Sequence, residues 1–222
     1  MIPNFPDPLL DQLRSTGVIA VLVVDDAEDG VSLARALLDG GVRAMELTLR
    51  TPAALEALGR IRAAVPEMIA GVGTVLTPDQ VRQVHDAGAA FGVAPGMNPR
   101  VVAEARKLAL PFAPGICTPS EIEAALEQNC WIMKFFPAVP SGGLDYLKSM
   151  AAPYVHLGVQ FIPLGGLNES NVRRWWASPL IAAIGGSWIA PRRLIQEKHW
   201  NEIRGRAEAA VSLAQEVRGE NA

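Results

Sequence analysis

The sequence predicts an α/β fold: a single domain, residues 1–222, in which eight strand–helix units close into a (β/α)8 barrel. Three observations carry this. The 222 residues suit one alternating α/β barrel. Short apolar runs alternate with longer stretches of helical periodicity, and eight such pairs follow one another about every 25 residues. No linker or break in composition separates one half from the other. An open doubly wound sheet is the alternative, and it is weakened because no GxGxxG or Walker motif follows the first strand.

Each element has its own signal. Pro8–Ser15 reads as a short leading helix that closes the barrel bottom. Val18–Val24 is a continuous apolar run, as expected of a parallel strand buried on both faces. Asp25-Asp26 is a capping-type pair, and Ala27–Asp39 puts Val31, Ala34, Leu37 and Leu38 on one helix face before Gly40-Gly41 stops it. Strand Arg43–Leu49 leads to a helix opening at Pro52, a favoured first-turn residue. Strand Met68–Val72 leads to a helix over Pro78–Ala87, and strand Ala90–Val93 to one over Pro99–Leu108. Strand Pro111–Ala113 precedes a helix whose Thr118 and Glu121 have capping-box spacing. Strand Trp131–Phe135 precedes helix Leu144–Met150, and strand Val159–Leu164 precedes helix Glu169–Trp176. Strand Leu180–Ile184 precedes a helical tail from Arg192 to Val217, broken near His199–Asn201.

Composition excludes several classes. Half the residues are apolar and 19% are charged, so a sizeable core is available and a disordered chain is not expected. The net charge is −3, without the basic stripe that nucleic-acid binding uses. Two cysteines, Cys117 and Cys130, make no disulfide framework and read as small buried residues. Three histidines lack zinc-ligand spacing, which leaves only a carboxylate-held metal open. No apolar run reaches the ~20 residues of a membrane helix. The N-terminus carries Asp7 and Asp11 and no basic leader region, so a cytoplasmic protein is expected.

In such barrels the chemistry sits at the C-terminal ends of the strands. Lys134 stands among apolar and aromatic neighbours in WIMKFFP. It either reaches solvent or stands desolvated inside the barrel, and desolvation favours the free amine a Schiff base needs. Glu46 interrupts an apolar strand. Side by side, the two could move protons in iminium chemistry or form a plain buried salt bridge. Arg50 and Thr74 could hold a carboxylate, through a planar fork and a hydroxyl. Equally, Arg50 could be a surface residue capping the helix at Thr51-Pro52, and Thr74 could be a helix N-cap. Gly165-Gly166 and Gly185-Gly186, with Ser187, each follow a predicted strand and precede a predicted helix. Glycine lets backbone N–H groups approach an anion, and a helix N-terminus favours it, so this end reads as a phosphate site. Trp175-Trp176, at helical spacing with Val172, reads as core or subunit-interface packing.

These residues fall in segments with a known likeness. GGVRAMELTLRTPAAL, GVGTVLTPDQ, FGVAPGMNP, PFAPGICTPSE, KFFPAVPSGG, PLGGLNESNV and GGSWIAP, in that order over roughly residues 17–191, resemble the class I aldolases of 2-keto-3-deoxy-6-phosphogluconate (KDPG) and 4-hydroxy-2-oxoglutarate. The resemblance implies a TIM-type (β/α)8 barrel, a homotrimer, a 2-keto sugar acid substrate, and no metal or other cofactor. It implies Lys134 as the Schiff-base lysine and Glu46 as the general acid/base. It implies that Arg50 and Thr74 hold the pyruvyl carboxylate, that Pro95 and Phe136 line the pocket, and that Gly165, Gly166, Gly186 and Ser187 form the phosphate end. Two departures stand out. Leu164 replaces a threonine common in the family, which removes a hydroxyl from the distal end of the pocket. The segment from Pro153 to Phe161 is about two residues longer, away from the catalytic motifs. Other readings are an aldolase for the galactonate epimer, a metal-dependent pyruvate aldolase, a phosphosugar isomerase or epimerase, and a non-catalytic sugar-acid sensor.

Overall fold

The structure, a computed structural model, describes residues 4–219. Residues 1–3 and 220–222, which complete the expected 1–222 domain and include part of the stretch read for a leader, lie outside the described residues. The parallel sheet begins with β1 (Val18–Leu22), β2 (Ala44–Thr48), β3 (Ile69–Gly73), β4 (Gly92–Val93) and β5 (Phe112–Ala113). It continues through β6 (Gly115–Ile116), β7 (Ile132–Phe135), β8 (Gln160–Pro163) and β9 (Ile184–Gly186). β5, β4, β3, β2, β1 and β9 pair in that order, and β6, β7 and β8 form a second arc.

Two seams close the ring. At one, Pro114 separates β5 from β6, because proline has no N–H for the ladder. The Pro114 carbonyl nevertheless accepts from Lys134 N at 2.8 Å, so β5 and β6 act as one barrel strand. At the other, Phe161 of β8 bridges Ile181 in parallel, and Phe161 N donates to Leu180 O at 2.8 Å. The barrel therefore has eight strand positions, as expected.

Strand alternation sorts the side chains into two layers. Ile19, Ala44, Phe91, Val93, Ala113, Ile132, Ile162 and Leu164 fill the barrel interior. Ala20, Leu22, Met45, Leu47, Val72, Met133, Phe135 and Phe161 face the helices. The leading helix α1 (Asp7–Thr16) inserts Leu10 and Leu13, with Phe5 ahead of it, into the interior layer. It closes the barrel bottom as expected.

The outer shell is α2 (Asp29–Asp39), α3 (Ala54–Ala64), α4 (Pro78–Asp86), α5 (Pro99–Lys107), α6 (Pro119–Glu127), α7 (Gly143–Ala151), α8 (Arg173–Trp176), α9 (Arg192–Gln196) and α10 (Trp200–Gly219). Capping boxes start α4 at Thr77/Gln80 and α6 at Thr118/Glu121. Trp175 and Trp176 are core residues, and Trp176 Nε1 donates to Gly17 O at 2.9 Å. Cys130 is buried, and burial pushes its thiol up to about 12; Cys117 is half-buried.

Three expectations need correction. The last strand lies later than Leu180–Ile184: ladder pairing to β1 begins only at Val18↔Ile184 and runs on through the glycines. The helix expected over Glu169–Trp176 is reduced to four residues, because Asn168 to Asn171 make side-chain turns instead, with Asn168 Oδ1 accepting from Ser170 N and Asn171 Oδ1 from Asn168 N. The capping-type pair divides its work: Asp26 Oδ1 accepts from Glu28 N, while Asp25 accepts from Arg192 and Gln196 of the tail. Arg192 holds the Asp25 carboxyl below its ordinary range.

Candidate active site

The site begins with strand parity. Glu46 and Thr48 are two and four residues beyond Ala44, so all three point inward from β2. Lys134 follows Ile132 by two and points inward from β7. Val21 of β1 and Gly71 of β3 stand opposite Glu46. Gly115 and Ile162 flank Lys134. The two long side chains cross the interior and meet, with Lys134 Nζ donating to Glu46 Oε1 at 3.2 Å. Their side chains are 6% and 3% exposed. The Lys134 nitrogen also stands 5.4 Å from the centre of the Phe136 ring.

A buried ion pair is weak evidence for stability, since desolvating two charges costs several kcal/mol and apolar replacements are often neutral or better. The surroundings indicate what this pair can do instead. It opens onto a cavity of about 380 Å³ at the C-terminal ends of the strands, lined by Glu46, Arg50, Thr74, Pro95, Lys134, Phe136, Gly165, Gly166, Gly186 and Ser187. All ten residues singled out from the sequence thus border one space. Glu46 has Lys134 as its hydrogen-bond partner through one carboxylate oxygen, and its second oxygen has no partner among the described residues.

The capping alternatives for Arg50 and Thr74 do not hold, although Arg50 is a surface residue. Arg50 caps nothing: α3 starts three residues after Thr51, and the Thr51 hydroxyl instead donates to Val24 O. The exposed Arg50 guanidinium has no hydrogen-bond or salt-bridge partner among the described residues. The N-cap of α4 is Thr77, not Thr74. Thr74 has φ 62°, a left-handed conformation that costs a β-branched residue energy and is found where function holds it.

The glycine end differs from expectation in one respect. Gly165 and Gly166 have φ 97° and 82°, and their N–H groups donate to no acceptor among the described residues. Backbone donors for an anion are thus exposed there. Gly185 and Gly186, however, are ladder residues, not a loop before a helix. The next helices begin only at Arg173 and Arg192, and both are short. The helix-terminus part of the phosphate argument therefore falls away.

Sequence reasoning passed over Val21, Val23, Thr48 and Leu167, which also line the cavity, as does Gly185 of the second glycine pair. Period-two spacing from Glu46 would have found Thr48 and, across the ladder, Val21 and Val23. Leu164 forms part of the wall, folded over the Gly185 backbone. The other wide cavity, about 370 Å³ between α5 and α6, contains none of these groups. Among the described residues no three His, Cys, Asp or Glu side chains converge as a metal would need. No described helix is long and apolar enough to cross a membrane.

The chain is similar to known proteins over most of its length. The family model described as "Aldolase: KDPG and KHG aldolase" matches residues 9–205. A 2-dehydro-3-deoxy-phosphogluconate aldolase of Treponema pallidum is 40% identical over 92% of this chain and 97% of its own. A KHG/KDPG aldolase of Escherichia coli is 38% identical over 92% and 95%. The crystal structure of a KDPG aldolase from Legionella pneumophila, with pyruvate captured as a covalent carbinolamine intermediate, superposes with a TM-score of 0.85 at 36% identity. That match covers 89% of this chain and 95% of the other.

Proposed function

The chain belongs to the KDPG and KHG aldolase family, and from that membership we propose that it is a class I, Schiff-base carbon–carbon lyase acting on a small 2-keto sugar acid. The observation that carries this reading is the buried Lys134–Glu46 contact at 3.2 Å opening onto a cavity bordered by Arg50, which has no side-chain partner among the described residues.

In the forward direction the Lys134 amine adds to the C2 carbonyl of the substrate. The carbinolamine loses water and becomes an iminium ion. Glu46, directly or through a water, takes the C4 hydroxyl proton. The C3–C4 bond breaks, its electrons enter the iminium to give an enamine, and the aldehyde leaves. Glu46 returns the proton to C3, and hydrolysis of the iminium frees pyruvate and Lys134. Covalent catalysis of this kind replaces a carbanion by a neutral enamine. Proton transfer by a positioned carboxylate adds about 10²–10⁴-fold. Arg50 and Thr74 orient the substrate carboxylate and so contribute positioning, while Pro95 and Phe136 wall the pocket.

The substrate we propose is KDPG, cleaved to pyruvate and glyceraldehyde 3-phosphate, with 4-hydroxy-2-oxoglutarate, cleaved to pyruvate and glyoxylate, as a second. The phosphate rests on Gly165, Gly166, Gly186 and Ser187, and the N–H groups of Gly165 and Gly166, which donate to no acceptor among the described residues, support that assignment. Leu164 makes the adjoining wall apolar. Turnover of KDPG, its galactonate epimer and 4-hydroxy-2-oxoglutarate side by side ranks the substrates. We further propose a cytoplasmic homotrimer, a reading supported by family membership.

Borohydride reduction in the presence of pyruvate should add a stable mass at Lys134, and Lys134→Ala should lose both adduct and turnover. Turnover retained by Lys134→Ala would sink the mechanism and favour an isomerase. Ligand-induced thermal stabilisation without turnover of any of the three substrates would favour a sensor.

A further inference from the structure

The Glu46 carboxylate lies across the backbone of Gly73, at the end of β3. A Cβ built on Gly73 would fall 1.7 Å from Glu46 Oε1, 2.5 Å from its carboxyl carbon and 2.8 Å from its Cγ. No other atoms are as near to that position. Gly73 lies in the regular β3 strand, paired with Thr48, and has no positive φ. Its backbone would therefore accept alanine, and conformational freedom is not what calls for glycine here. What calls for it is space: β3 must carry no side chain at this position for the Glu46 carboxyl to lie where it does.

We infer that Gly73 is a positioning residue, whose missing side chain seats the Glu46 carboxylate against Lys134. The group that must give way to a Cβ is the far end of a flexible side chain, not backbone. Gly73→Ala should therefore leave the barrel folded and turn the carboxyl away from the Lys134 nitrogen. Misplacement by about 1 Å at a reacting centre is enough to cost ~10²-fold in rate. The inference rests on the proposed role of Glu46 in proton transfer, and the test separates the two.

The test compares wild type, Glu46→Gln, Gly73→Ala and the double variant Gly73→Ala/Glu46→Asp, whose carboxylate is one methylene shorter. Gly73→Ala should lower kcat for cleavage by about 100-fold, in the range set by loss of a general base, and leave KM within about threefold. It should slow exchange of the pyruvate methyl protons with deuterated solvent by a similar factor, while borohydride still traps pyruvate on Lys134. The double variant should recover about tenfold of the loss, since neighbouring residues that clash are non-additive. Wild-type kcat in Gly73→Ala, with Glu46→Gln disabled, overturns the inference alone. Wild-type turnover in Glu46→Gln overturns the role of Glu46 itself. Equal loss of kcat, exchange and trapping with a lowered melting temperature makes Gly73 merely structural and overturns the inference. If Gly73→Ala fails to fold, folding restored in the double variant supports the inference, and failure of both overturns it.

Discussion

At the scale of single residues, the site separates covalent chemistry from binding. Arg50 borders the cavity and has no side-chain partner among the described residues. Its contribution can therefore be removed without orphaning another charge. A hydrogen bond to a charged group is worth about 1.5–3 kcal/mol. Arg50→Ala should thus lower kcat/KM about 10- to 100-fold, mostly through KM. Steady-state kinetics with KDPG checks this, and an unchanged KM would remove Arg50 from carboxylate binding. Glu46 and Lys134 could be singled out because each breaks an apolar strand, and such interruptions are visible without a structure. Gly73 could not, because nothing in GVGTV says which glycine holds a turn and which one a neighbour's carboxylate needs.

Among the elements, the helices were legible where caps and periodicity agreed. Thr118 with Glu121 marks the start of α6, and Glu121 Oε2 accepts from both Cys117 N and Thr118 N. The late strands were less legible. Leu180–Ile184 is apolar enough to be a strand, and it touches β8 at Leu180 and Ile181, but register with β1, not composition, decides where the ladder to β1 begins. The seams show the same dependence on distant residues. Asn4 joins the strands beside the β5/β6 interruption: its Nδ2 donates to Phe112 O at 2.9 Å and to Ile132 O at 2.7 Å, and its Oδ1 accepts from Trp131 N at 2.9 Å. Removing it strands several backbone groups that are part-buried. Asn4→Ala should destabilise the fold by about 2 kcal/mol, measured by urea unfolding. Turnover per folded molecule should stay the same, because Asn4 is at the bottom of the barrel and the site is at the top. A change below 0.5 kcal/mol, about the limit expected of a surface substitution, would mean that the clamp carries no stability.

For the whole molecule, closure is the property on which function depends. Glu46 and Lys134 are 88 residues apart in sequence. They meet because a closed ring of parallel strands directs inward residues of β2 and β7 across one interior only wide enough for side chains. The proposed homotrimer is an expectation at this scale. Multi-angle light scattering should return three times the 23.7 kDa chain mass, and a monomer mass would contradict it. The chain by itself determined the βα alternation and the two charged interruptions, because strand parity and helix periodicity are local properties, and its motifs marked ten of the residues that border the cavity, Pro95 and Phe136 among them through family resemblance alone. Only the tertiary structure decided that the second glycine pair lies in a strand, that the helices after the glycines are short and begin only at Arg173 and Arg192, and that the Gly73 backbone lies against the Glu46 carboxylate. Those depend on register and on close approach between segments distant in sequence, which no local pattern encodes.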